Sequence, residues 1–190
     1  MIDGGGAASD LKHHQASDWR ALITDAVRVL WPDFPNVERW IEAQVSAESA
    51  GDPAAVSPVG AAGLLQLMPG TAGEMGVTDP INPEQNLKGG IGYLRKQFLA
   101  LGEIPSSLDR LLWAFAAYNC GRGYLDFNGG PINTCLELAK ADEPRDWWRY
   151  DTGRYWLMHR DLVLRGMRPD YRQVWAYVKR IRAYYEGGRP

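Results

Sequence analysis

Between residues 48 and 72 the chain reads Glu-Ser-Ala-Gly-Asp-Pro-Ala-Ala-Val-Ser-Pro-Val-Gly-Ala-Ala-Gly-Leu-Leu-Gln-Leu-Met-Pro-Gly-Thr-Ala, and no regular element can run through it. Gly51, Asp52 and Pro53 end whatever helix enters, because glycine is a poor helix former and the residue before a proline avoids the α region. Ser57-Pro58-Val59-Gly60 makes a turn, and Gly60 and Gly63 let backbone approach backbone or a ligand closely. Leu64-Leu65-Gln66-Leu67-Met68 reads as a short helical piece that Pro69 stops. The chain therefore doubles back past the end of the preceding helix, carrying Gln66 and Met68 with it. A polar Gln66 inside an apolar run needs a partner, either buried backbone or a ligand.

The helix that enters this segment is expected from about Asn36 to Ala50. Its apolar residues recur at Val37, Trp40, Ile41 and Val45, and the next position on that stripe is Glu48. A carboxyl held against apolar neighbours is poorly solvated when ionised, so its pKa rises and it can carry a proton near neutral pH. A general acid requires that property. The competing reading is a capped or paired Glu at a helix end.

The same periodicity places the other helices. Ser17 or Asp18 can cap a first one running to Trp31, with Leu22, Ile23, Ala26, Val29 and Leu30 on one face. Thr71 to Met75 reads as one helical turn closed by Gly76. Asn82 and Pro83 open a helix carrying Leu87, Ile91, Leu94, Phe98 and Leu101, whose Gly89, Gly90 and Gly92 imply close packing or backbone near a ligand. Ser106 or Ser107 caps the next, with Leu108, Leu111, Leu112, Phe115 and Ala116 inward, ending at Tyr118-Asn119-Cys120-Gly121. A last helix spans Pro169 to Glu186, with Tyr171, Val174, Trp175, Val178, Ile181 and Tyr185 on a stripe. No strand-like alternation and no internal repeat stand out, so the fold class is all-α, or α with minimal β.

A chain of 190 residues, 45% hydrophobic and 23% charged, supports one well-cored domain, expected over 17–190 behind a flexible Gly- and Ala-rich leader at 1–16. No apolar run reaches a membrane span, and the N-terminus lacks the pattern of a signal peptide. The net charge of −2 is uneven, with 11 Lys/Arg against 5 Asp/Glu over 145–190, which either faces an anionic polymer or balances an acidic body. Cys120 and Cys135 read as free thiols rather than a disulfide framework, and His13, His14 and His159 are too few and too badly spaced for a metal site. Residues 122–168 carry a Gly129-Gly130-Pro131 turn, a short helix from Asn133 to Leu138, and an aromatic stretch at Trp147, Trp148, Tyr150, Tyr155 and Trp156 interleaved with arginines. Those rings can stack on sugars, although core packing is the commoner use.

Glu48-Ser49, the run from Ser57 to Pro69, and Thr71-Ala72 resemble the first two motifs of the soluble lytic transglycosylase family, relatives of goose-type lysozyme. Ala116-Ala117-Tyr118-Asn119-Cys120-Gly121 is similar to the third, usually written Ala-Tyr-Asn-Ala-Gly, and Tyr177-Val178 to the fourth. The likeness covers about residues 35 to 125 and the last helix, and 122–168 looks like an insertion. Where the family usually has Glu-Thr-Arg-x-Tyr-Val, this chain has Gln173-Val174-Trp175-Ala176-Tyr177-Val178, so only Tyr177 transfers.

The resemblance implies a lysozyme-like helical domain with a substrate cleft for peptidoglycan strands of alternating MurNAc and GlcNAc. Glycosidases ordinarily use two carboxylates; Asp52, the nearest in sequence, sits in a Gly-Asp-Pro turn where turn-forming is its expected role. The family scheme has one. Glu48 protonates the oxygen linking MurNAc to GlcNAc and then takes the proton of the MurNAc C6 hydroxyl, which closes a 1,6-anhydro ring. By the same resemblance Ser57 and Gln66 bind sugar or support Glu48, Met68 lines the subsite wall, Tyr118 orients Glu48 or the sugar, and Asn119 and Tyr177 complete the polar cleft. No cofactor, metal or nucleic acid is implied, and a monomer is expected. The alternatives are a goose-type muramidase that uses water and a non-catalytic glycan-binding or assembly module. The expected place of action is the periplasm or cell wall, reached by a phage-encoded, virion-associated or processed protein.

Overall fold

The structure, a computed structural model, describes residues 16–102, 104, 106–121 and 171–187. A 3-10 turn, Ala16–Trp19, leads into α1, Arg20–Leu30, and α2 follows over Val37–Ser49. Then come the short α3, Pro69–Glu74, the long α4, Pro83–Ala100, α5 over Ser107–Cys120, and α6 over Tyr171–Tyr185. Among the described residues the extended structure amounts to isolated bridges, Val56 with Ala62 and Ala62 with Leu67. The all-α expectation holds. No described helix is long and apolar enough to cross a membrane.

The helices bury the stripes that the periodicity marks. Leu87, Ile91 and Leu94 of α4 are fully buried, with Phe98 and Leu101 beside them, and Leu111, Leu112, Phe115 and Ala116 of α5 meet them in the same core. α2 packs between α1 and α6, while α5 bridges α4 and α6. Burying a large apolar side chain is worth about 1.5–3 kcal/mol, so this shared core fixes the directions of α2 and α6. The far end of that pair is closed by Trp40 and Tyr185, stacked at 3.8 Å with rings 7° apart.

Several expectations need correcting. Val29 is 75% exposed and Val27 takes its place inside, because the buried stripe of α1 runs through Ile23, Ala26 and Val27. The N-cap of α1 is Trp19, with no side-chain capping bond, since the chain enters through the 3-10 turn rather than from Ser17 or Asp18. Leu108 is 45% exposed in the first turn of α5, and the inward stripe begins at Leu111. Leu64 to Met68 is no helix. Gln66 takes φ +45°, and Met68 is extended ahead of Pro69, which opens α3 at its first turn instead of stopping anything. The leader before Ala16, the readings for 122–168, Cys135, and the side chains of Tyr171 and Trp175 lie outside the described residues.

Candidate active site

Glu48 sits in the last turn of α2, directly after the fully buried Val37, Ile41 and Val45 on the same stripe. The helix ends there because Ala50 and Gly51 both adopt positive φ, +53° and +84°, turning the chain sharply away. Ser49, the next residue, fastens the exit. Its hydroxyl shares its one proton between the carbonyls of Val45 and Leu64, at 3.2 and 3.0 Å, and accepts from the amide of Gly51.

The partner of Glu48 comes from the other end of the chain. Tyr177 of α6, 2% exposed, donates its hydroxyl to Glu48 Oε1 at 2.6 Å. One turn before Glu48 on α2, the fully buried Gln44 donates from Nε2 to the same hydroxyl at 3.1 Å. Burial pushes the Glu48 carboxyl up from the ordinary range to about 7, against the opposing pull of the Tyr177 hydrogen bond and the Arg180 charge. At neutral pH about half of such carboxyls hold a proton. Burial, with the Glu48 charge next in size, raises the Tyr177 hydroxyl well above its usual value, so it stays a neutral donor.

The doubling-back segment forms the adjoining wall. Asn86, fully buried on α4, accepts from the amide of Leu65 at 2.8 Å and donates to the carbonyls of Ala62 and Pro80 at 2.9 and 2.7 Å. Gln66 donates from Nε2 to the carbonyls of Ala55 and Gly63, at 3.0 and 2.9 Å, so its partner is backbone. The Ser57 hydroxyl accepts from the amide of Ala61 at 3.0 Å and closes the turn. Gly63, at φ +79°, leaves no room for a Cβ, which would stand 2.1 Å from the Pro80 carbonyl oxygen. Met68 is 44% exposed.

Tyr118 of α5 stands close enough to Glu48 to feel its charge, yet its hydroxyl donates to the Leu65 carbonyl at 2.7 Å. A phenol has one proton to give, so Tyr118 anchors the wall while Tyr177 holds the acid. The Tyr118 ring meets Tyr93 edge-on at 5.3 Å. Asn119 is half-buried in the last turn of α5. Asp52 accepts from the amide of Ala54 at 2.9 Å within its turn, as its context predicts. No cluster of His, Cys, Asp and Glu able to hold a metal ion occurs among the described residues. Cys120 carries a free thiol that burial raises to about 12, far from the reactive thiolate range.

Gln44 and Asn86 carry no role in the sequence reading, and Ser49 enters it only beside Glu48 in the first motif. Gln44 had a detectable signal, being a polar interruption of the apolar stripe one helical turn before Glu48. Asn86 had none, since its partners lie 21 and 24 residues away in a loop of irregular backbone.

The chain is similar to proteins of known family. The membrane-bound lytic murein transglycosylase F of Desulfosudis oleivorans is 45% identical over 150 residues, covering 77% of this chain and 32% of the relative. That of Alcanivorax borkumensis is 34% identical over 152 residues, covering 78% and 31%. The chain thus spans about a third of the length of the curated relatives it matches. The 70 kDa soluble lytic transglycosylase of Escherichia coli shares the fold, with a TM-score of 0.52 and 23% identity over 85% of this chain and 23% of that one. The family model described as transglycosylase SLT domain matches residues 36–130, half of the sequence and all of the segment that builds the Glu48 wall, and the chain belongs to that family.

Proposed function

We propose that the chain is a peptidoglycan lytic transglycosylase that cleaves the β-1,4 bond between MurNAc and GlcNAc in the cell wall, with Glu48 as its sole acid and base. The observation that carries this reading is a half-buried carboxyl at the end of an apolar stripe, held on one oxygen by Tyr177 and raised by desolvation to about 7. In the first step the Glu48 proton passes to the glycosidic oxygen as its bond to C1 breaks. The carboxylate left behind then accepts the proton of the MurNAc C6 hydroxyl while that oxygen bonds to C1. The proton balance closes on one residue and no water is consumed. A nucleophile within the same sugar has a high effective concentration, which removes the need for a second carboxylate to activate water.

The murein transglycosylase names of the relatives support the substrate, and the commitment of Asp52 to its turn supports a one-carboxylate scheme. Met68 and Asn119 face substrate at the rim, whereas Ser57 and Gln66 serve it indirectly by holding the wall.

Digestion of purified peptidoglycan with the wild type and with Glu48→Gln, followed by mass spectrometry of the fragments, tests the reading. The expected result is 1,6-anhydroMurNAc ends from the wild type and none from the variant. Reducing MurNAc ends would replace the transglycosylase reading with a hydrolase, and binding without cleavage by the wild type would make the protein a glycan-binding module.

A further inference from the structure

Gln44 has a side chain with no access to solvent and only one of its two polar ends satisfied. Nε2 donates to the Tyr177 hydroxyl, while Oε1 is buried without a partner among the described residues. Leaving a buried amide oxygen unpaired is costly, so the orientation needs a reason. A phenol has one proton and room to accept. With Nε2 of Gln44 pointing at its oxygen, the Tyr177 proton can only point away, toward Glu48 Oε1 at 2.6 Å. Turned over, the amide would take that proton on its own Oε1. Glu48 would then have to place its proton on the inner oxygen to satisfy Tyr177, out of reach of a leaving group.

We infer that Gln44 is a positioning residue that fixes the direction of the Gln44–Tyr177–Glu48 chain, so that Oε1 of Glu48 always accepts and the transferable proton rides on Oε2. Oε2 takes no hydrogen bond from a described residue. This rests on Glu48 being the acid of the proposed reaction. Gln44 touches neither substrate nor the reacting atoms and acts through Tyr177. The spacing makes the device compact, because residues four apart on α2 present both ends of the chain to the same α6 tyrosine.

A double-mutant cycle tests it, using Gln44→Met and Gln44→Leu, each alone and with Tyr177→Phe, on purified peptidoglycan. Gln44→Met should lower kcat about tenfold, the worth of one oriented hydrogen bond, with KM within about twofold of wild type. Added to Tyr177→Phe it should change nothing further, since the hydroxyl it directs is gone. Wild-type kcat in both Gln44 variants, or the same loss in both backgrounds, overturns the inference.

A second measurement needs no turnover. Carbon-13 NMR of the Glu48 carboxyl should show its titration midpoint higher in Gln44→Met than in wild type, because Tyr177 is no longer obliged to donate. The other groups facing that carboxyl, Arg180 on α6 and Tyr118 on α5, are the same in both proteins. An unchanged midpoint overturns the inference even if Gln44→Met is inactive. A wild type without glycan cleavage would instead remove the proposed function and leave the NMR result to decide the hydrogen-bond direction.

Discussion

Glu48 binds its proton more tightly folded than unfolded, and that difference has a sign. Between about 4.5 and about 7 the native protein holds a proton that the unfolded chain has released, so this residue makes stability fall as pH rises through that window. Glu48→Gln keeps an acceptor for Tyr177 and cannot ionise. It should therefore be as stable as wild type at pH 4 and more stable at pH 8 by about 3 kcal/mol, read from urea denaturation at both pH values. A variant that is weaker at pH 8 would contradict the burial of the acid. Under the proposed reaction the same group must start protonated, so kcat/KM should decline above about pH 7 as a single ionisation. Tyr177→Phe removes a hydrogen bond that favours the carboxylate, and the declining limb should move to higher pH while kcat drops.

The doubling-back segment holds its shape through hydrogen bonds to one side chain of α4. Asn86→Leu strands the amide of Leu65 and the carbonyl of Pro80 and leaves the Ala62 carbonyl with the Leu67 amide alone. It should cost about 3 kcal/mol or more, and lower activity even where the protein remains folded. Gly90 supplies the clearance on the same helix. A Cβ there would meet Leu65 Cδ1 at 2.4 Å and the Tyr118 hydroxyl oxygen at 3.1 Å, so Gly90→Ala should destabilise by about 1–3 kcal/mol through overpacking, measurable by thermal unfolding. The glycines of α4 are legible in the sequence as signs of close approach, and so are the stripes of α2, α4 and α5, because one buried face per helix leaves a period in the residues. Leu64 to Met68 was misread for the complementary reason. A short apolar run has the same composition whether it is helical or a buried irregular turn, and only the positive φ of Gln66 and the grip of Asn86 distinguish them. Tyr177 was found from its resemblance to a motif, whereas its bond to Glu48 depends on how α6 lies against α2, which no local pattern records.

At the scale of the molecule, the candidate site is a contact between distant parts of the chain. Glu48 and Tyr177 are separated by 129 positions, and Gln44 and Tyr177 by 133. They are brought together by the core shared among α2, α5 and α6, with Ile41, Phe115 and Ile181 fully buried in it. Loss of turnover in urea should therefore coincide with loss of helical circular dichroism, as expected of a site that is no more separable than the core itself. Activity that vanished well before the helices melted would mean that α6 detaches on its own. Ile181→Ala should cost about 2–5 kcal/mol and shift both transitions together. The 2.6 Å bond between the first motif and the last helix also bears on biosynthesis. A ribosome releases Glu48 long before it releases Tyr177, and through that interval the carboxyl is hydrated and ordinarily acidic. A truncated product that stops short of α6 carries the entire motif segment without the Tyr177 contact, and under the proposed reaction it is expected to be inert.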